Sequence, residues 1–143
     1  MVKKSKKDIL KELKNAGHRI TKHRRAIIEL IAEREDHPSV RQIFSKIKLE
    51  NSGISLATVY NTLNLLVEMN LLREIDFEET DNRYDTNLSP HFNLICTICG
   101  SITDFEHELP VSAELIRVQK GFIAKEYRLE YRGICHRCQG KTR

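Results

Sequence analysis

The chain has 143 residues, of which 40% are apolar and 31% charged, with a formal net charge of +4. That length suits one ordinary domain or two small ones, and that apolar share supports compact cores, which excludes a collagen, a mucin or a disordered tail. No stretch approaches the roughly 18 uninterrupted apolar residues of a membrane span, and the opening MVKKSKKDIL carries charge without an apolar signal region, so the chain reads as soluble, unexported and cytoplasmic. The small net charge conceals an asymmetry. Residues 1–48 hold 14 Lys/Arg against 6 Asp/Glu, residues 49–86 hold 2 against 8, and the remainder 8 against 6. A basic N-terminal third favours a polyanionic partner through phosphate neutralisation, although a plain solvated surface has the same composition.

The first 70 residues read as four short amphipathic helices. Ile9, Leu10, Leu13 and Ala16 share a stripe that Gly17 ends. A second helix starts after Thr21 as N-cap, carries Ile27, Ile28, Leu30 and Ile31 inward, and ends near Asp36-His37-Pro38. Ser39 with Gln42 forms a capping box for a third, which buries Val40, Ile43, Phe44 and Ile47. Ser55 caps a fourth, whose inward stripe is Leu56, Val59, Leu63, Leu66 and Val67. Its outward face, Ala57, Thr58, Asn61, Thr62 and Asn64 with Tyr60 at the edge, is nearly free of acid, and small hydrogen-bonding side chains of this kind suit base edges in a major groove.

From Leu71 to Asp85 the pattern changes to period two around an acidic turn, Glu78-Glu79-Thr80-Asp81, which predicts a hairpin whose tip does not grip phosphate. Helices followed by such a hairpin make the winged helix-turn-helix. Asn87 to Pro90 is the natural linker. Beyond it the sequence predicts strands over 92–97 and 101–105, a helix after Pro110 capped by Ser112 with Leu115, Ile116 and Val118 inward and Gly121 as stop, and a strand over 122–131. These last residues have little internal core, which calls for a metal staple, a partner subunit, or both.

Cys96-x-x-Cys99 and Cys135-x-x-Cys138 supply the staple. Two such pairs make a closed tetrahedral zinc site with no position for water, and a redox-active or disulfide-linked set is the other reading of the spacing. A zinc deaminase needs Pro before one Cys pair and has none here, and a zinc hydrolase needs an open position, so the chain reads as no enzyme and takes no small-molecule substrate. The other ligand-competent side chains, His37, Asp85, His91 and Asp104, fall at element boundaries, where imidazole with carboxylate suits iron, manganese or zinc and each residue also has an ordinary capping or surface explanation.

The whole chain resembles the ferric uptake regulator family of metal-dependent repressors, most closely its peroxide-sensing branch. The motifs that carry the resemblance are Ser55-Leu-Ala-Thr-Val-Tyr60-Asn-Thr-Leu63, Arg83-Tyr-Asp85, His91-Phe-Asn93-Leu-Ile-Cys96-Thr-Ile-Cys99-Gly100, Asp104-Phe105-Glu106 and Gly133-Ile-Cys135-His-Arg-Cys138. The resemblance implies an α+β chain with a winged helix-turn-helix DNA-binding domain at 1–84, a hinge at 85–90 and an α/β dimerisation domain at 91–143. It implies structural Zn(II) on Cys96, Cys99, Cys135 and Cys138, and a regulatory Fe(II) or Mn(II) on His37, Asp85, His91, the residue at 93, and Asp104. An ion that draws ligands from both domains favours the DNA-competent arrangement.

In the peroxide branch, bound Fe(II) reacts with hydrogen peroxide and a histidine ligand is oxidised, for which His37 and His91 are the candidates here. Asp104 and Asn61 resemble that branch, whereas Pro90, Phe92 and Tyr127 stand where many iron and zinc regulators supply a further site. Position 93 departs from the family, with Asn in place of the usual His. Either its amide oxygen joins the shell, weakening Zn(II) and Ni(II) more than Fe(II) or Mn(II), or Asn93 lies outside it. The partners so implied are a second copy of the chain and a double-stranded operator of approximate palindromic form. Thr58, Tyr60 and Asn61 are the expected groove contacts; Arg19, Lys22 and Arg24 are the phosphate contacts. The alternatives are a metal-responsive repressor of the same family without peroxide sensing and, in another class, a metal-binding scaffold without DNA regulation.

Overall fold

The computed structural model describes residues 3–77 and 82–141. The expected acidic wing tip, 78–81, lies outside the described residues. The chain divides into two compact units, Met1–Ser89 and Pro90–Arg143.

Hydroxyl caps set the helices of the first unit. Ser5, Thr21, Ser39 and Ser55 each accept from the backbone N–H three residues on, opening α1 (Lys6–Asn15), α2 (Lys22–Glu33), α3 (Val40–Lys48) and α4 (Leu56–Glu68). The Ser39–Gln42 capping box is present in full. Ile9, Leu13, Ile27, Ile28, Ile31, Val40, Ile43, Val59, Leu63 and Leu66 interlock in one core, with Phe44, Leu56 and Val67 half-buried against it. One expectation for α4 is corrected. Thr62 is buried rather than outward, because it lies three residues after Val59 and four before Leu66 and therefore falls within the apolar stripe. Asn70, in the left-handed conformation, then turns the chain into the hairpin of β1 (Arg73–Ile75) and β2 (Arg83–Asp85). The hairpin's Tyr84 enters the same core.

The first unit continues through the residues expected to form a hinge. Asn87 N–H donates to Asp85 Oδ1 at 2.8 Å, Ser89 N–H to Asn87 Oδ1 at 3.1 Å, and Arg73 Nη2 to the Leu88 carbonyl at 3.0 Å. These bonds hold 85–89 on β1 and β2, so the division falls between Ser89 and Pro90.

The second unit is a three-stranded sheet of order β4-β3-β5, with β3 (Phe92–Cys96) antiparallel to β4 (Ile102–Phe105) and parallel to β5 (Glu130–Gly133). Ser112 caps α5 (Ala113–Lys120), which Gly121 ends at φ +63. Two expectations are corrected here. Of the strand expected over 122–131, only 130 and 131 fall in β5, which runs on to Gly133; just before it the Leu129 carbonyl accepts from Asn93 N–H at 2.9 Å, where the chain joins the sheet. Leu115 and Val118 are exposed and Ile116 half-buried, because the unit has no layer of its own to cover α5. The buried apolar side chains described in this unit are Ile95, Cys96 and Cys138 alone, and two of these three are zinc-competent thiols.

The two units therefore owe their stability to different sources. Leu63→Ala, at a fully buried core position, is expected to cost about 2–5 kcal/mol in urea unfolding, whereas Tyr60→Ala on the open face of α4 is expected to stay within about 1 kcal/mol of the parent.

Candidate metal centres and nucleic-acid surface

The thiol cluster is assembled by the sheet. Cys96 ends β3 and Cys99 closes the turn after it, where Gly100 N–H donates to the Cys96 carbonyl at 2.9 Å. Cys135 follows β5, and Cys138 lies in the 3-10 helix His136–Lys141. Parallel pairing of Cys96 with Gly133 aligns the two turns, and Thr97 N–H donates to the Gly133 carbonyl at 2.8 Å. All four cysteines are free, and their sulfurs lie within 4.8 Å of one another. Cys99 Sγ and Cys135 Sγ are 3.8 Å apart. Zinc–sulfur bonds of about 2.3 Å in a tetrahedron place the sulfurs about 3.8 Å apart, so the donor set fits zinc.

The thiols differ in acidity. Backbone N–H groups, that of Cys135 foremost, draw Cys96 down to about 6. Ser101, whose Oγ lies 3.1 Å from Cys99 Sγ, lowers Cys99 by side-chain and backbone hydrogen bonds. Cys138 is pushed up to about 12, first by its hydrogen bond with the Cys135 side chain and then by burial. The site thus resists complete ionisation until a cation neutralises it.

Because ion and protons compete for the same sulfurs, zinc affinity rises with pH. The climb is expected to be steepest below about pH 6, where Cys96 must also release a proton, and shallower above it. Chelator competition across that range measures the slope, and a pH-independent affinity contradicts the assignment.

In the first unit, His37 Nε2 lies 3.6 Å from Asp85 Oδ2, both groups being about 95% buried. His37 lies in the connection from α2 to α3, and β2 holds that connection like an added strand. Tyr84 N–H donates to the Pro38 carbonyl at 2.9 Å, Ser39 bridges Arg83, and Arg83 Nε donates to the His37 carbonyl. Asp85 Oδ1 accepts from Asn87 N–H at 2.8 Å, so its two oxygens do different work. The sequence reading missed Arg83 as the residue that fixes His37. The two are 46 residues apart, and no local period marks such a bond.

In the second unit, His91 Nε2 lies 3.6 Å from Asp104 Oδ1, with His91 buried and Asp104 half-buried. The β3–β4 register sets Asn93 directly opposite Asp104, and Asn93 Oδ1 is buried. Each unit thus brings together an imidazole and a carboxylate, a donor pair that suits a borderline divalent ion.

The expected DNA-contacting residues form two groups on the first unit. Arg19 and Lys22 are exposed at the start of α2, and half-buried Arg24 donates from Nη1 to the Arg19 carbonyl at 2.6 Å. On α4, Tyr60 and Asn61 are exposed, whereas Thr58 is half-buried and its hydroxyl lies 2.9 Å from Ser55 Oγ within the helix cap. Among the described residues, no helix is long and apolar enough to cross a membrane.

Residues 15–132 match the family described as the ferric uptake regulator family. The chain is 35% identical to the ferric uptake regulation protein of Bacillus subtilis over 139 residues, covering 93% of each chain. It is 32% identical to the peroxide-responsive repressor PerR of Staphylococcus aureus over 130 residues, covering 90% of this chain and 88% of that protein. The solved structure of the Helicobacter pylori ferric uptake regulator Fur shares the fold at a TM-score of 0.76 and 23% identity, covering 97% of each chain.

Proposed function

The chain belongs to the ferric uptake regulator family of metal-responsive repressors, and from that premise we propose that it is a homodimeric, cytoplasmic DNA-binding repressor that senses hydrogen peroxide. The observation that carries the reading is the pair of half-sites, His37 with Asp85 and His91 with Asp104, each 3.6 Å apart. Two ligands fill too little of the shell of Fe(II) or Mn(II), which take more donors. In this reading the regulatory ion draws on both pairs, and its occupancy favours the arrangement of units that binds the operator. Shifting a two-state population from mostly open to mostly closed takes about 5 kcal/mol of differential binding.

His37 and His91 are the imidazoles next to that ion and are therefore the residues at risk from peroxide. Held by these residues, Fe(II) would supply the redox chemistry that activates hydrogen peroxide, and it is not consumed in the net reaction. The net change on the protein is insertion of one peroxide oxygen into an imidazole carbon–hydrogen bond, with the other leaving as water. An oxidised ring is a poorer donor, so the half-site that carries it loosens. Arg83 keeps the His37 backbone in place throughout, and the carboxylates of Asp85 and Asp104 hold the positive charge.

Tyr60, Asn61 and Thr58 on α4 reach the major groove, and Arg19, Lys22 and Arg24 neutralise phosphates beside it. The exposed apolar side chains of the second unit, including Val118, Phe122 and Ile123, support association of two copies, and two-fold symmetry then calls for an approximately palindromic operator.

A metal-level sensor is the second reading, favoured by the 35% identity to the ferric uptake regulation protein. Operator titration of the Fe(II)- and Mn(II)-loaded protein, with and without hydrogen peroxide, separates the two. Peroxide sensing predicts release of the iron form only, with one added oxygen on the peptide holding His37 or His91. Release by chelation alone, with unmodified histidines after peroxide, supports the metal-level sensor. Operator affinity indifferent to either ion contradicts both.

A further inference from the structure

We propose that the outer face of α1, formed by Lys7, Lys11 and Lys14, is a second DNA surface that grips the phosphate backbone without regard to base sequence or to the regulatory ion. The inference rests on the DNA-binding reading above and adds to it a mode of binding that outlasts release from the operator.

The two faces of α1 have opposite environments. Ile9 and Leu13 are buried in the core, and a residue two places along a helix lies about 200° around it, so Lys7 and Lys11 stand opposite those side chains. Lys14, three residues past Lys11, completes the outer row. All three lysines are exposed. The row runs about 10 Å along the helix axis, which matches about three base-pair steps of a duplex.

The acids of α1 are engaged elsewhere. Asp8 Oδ2 accepts from Ser5 Oγ at 2.7 Å within the helix cap, and Glu12 is paired with Lys4. Lys11 also acts on Asp8, but more weakly than Ser5 does. The row therefore keeps a surplus of like charge at i,i+3 and i,i+4 spacing, where like charges weaken a helix. A polyanion removes that penalty, and a duplex supplies phosphates in line.

An anionic membrane is the other extended polyanion, and α1 is not built for it. A helix binds a bilayer by burying its apolar face in the acyl boundary, whereas Ile9 and Leu13 are already committed to the core. The lysine row instead continues into the phosphate contacts proposed above. Gly17, at φ +83, donates its N–H to the Lys14 carbonyl at 3.0 Å, and His18 N–H donates to the Leu13 carbonyl at 2.9 Å. Arg19 follows directly on this hydrogen-bonded turn, so α1 and the start of α2 present their cations as one surface within the first unit. None of these residues belongs to an imidazole–carboxylate pair, and the grip is accordingly independent of the ion. A repressor that has lost its ion thus stays on nearby DNA, placed to rebind.

Anisotropy of a labelled random-sequence duplex, titrated over a series of salt concentrations, tests the proposal. The titrant is the full chain with its cysteine cluster zinc-filled, with and without Mn(II). The variants are Lys7→Gln/Lys11→Gln/Lys14→Gln, the same three positions changed to Arg, and Arg19→Gln/Lys22→Gln; circular dichroism confirms that each is folded. Without Mn(II), we expect the glutamine triple to weaken binding at low salt by about tenfold or more and to flatten the salt slope by about 2.7 per protomer, at about 0.9 per phosphate. The arginine triple is expected to keep the wild-type slope, because charge and not lysine packing makes the contact. A wild-type slope in the glutamine triple overturns the proposal, and the DNA-binding reading survives that result if Arg19→Gln/Lys22→Gln flattens the slope. Lysine-dependent binding to phosphatidylglycerol vesicles together with an unchanged duplex slope also overturns it and assigns the row to a membrane. Failure of wild type to bind any duplex, with or without Mn(II), removes the DNA-binding reading and this inference together.

Discussion

Two donors do not complete the shell of a transition-metal ion, and each unit of this chain brings together one imidazole–carboxylate pair. That shortfall is the constraint from which the functional reading follows. A site complete within one unit would store or stabilise, since its occupancy would be indifferent to the other unit. In the proposed function, two incomplete sites would convert ion binding into a demand on the arrangement of the units, and binding energy would become conformational bias.

Each half-site depends on a different kind of support. His37 stands in a connection between helices, where backbone freedom would ordinarily defeat ligand geometry. Here β2 pins that connection through the Tyr84–Pro38 and Arg83–His37 bonds, and the same strand carries Asp85, so one element positions both side chains. His91, Asn93 and Asp104 depend instead on sheet register. That sheet has little apolar core, and its integrity rests on the thiol cluster, whose zinc ties the end of β3 to the segment after β5. In the proposed function, the structural ion would thus keep the donors for the regulatory one in register.

Much of this was legible in the sequence wherever the cause is local. Hydroxyl caps, the stop at Gly121 and the three- and four-residue stripes of α1 to α4 are short-range effects, and the helices begin at their expected caps. The two Cys-x-x-Cys pairs are likewise a local signature, and they converge. Where the cause is long-range, the reading faltered. Thr62 is the one local exception, a polar side chain that its own spacing from Val59 and Leu66 places in the buried stripe. The strand expected over 122–131 starts at Glu130 and runs to Gly133, because its extent is set by pairing with β3 and not by the apolar content of its own sequence. Arg83 and the buried amide oxygen of Asn93 left no mark in any periodicity, because their significance comes from residues brought close by the fold.

The most direct test of the central claim is a count of bound ions. Electron paramagnetic resonance of free Mn(II) gives the number taken up by zinc-filled wild type, Asp85→Ala, Asp104→Ala and the double variant. A single ion that draws on both units predicts that either substitution removes the same ion and that the double variant loses nothing further. Two ions in wild type, one lost with each substitution, would show that the half-sites act independently and would contradict the account.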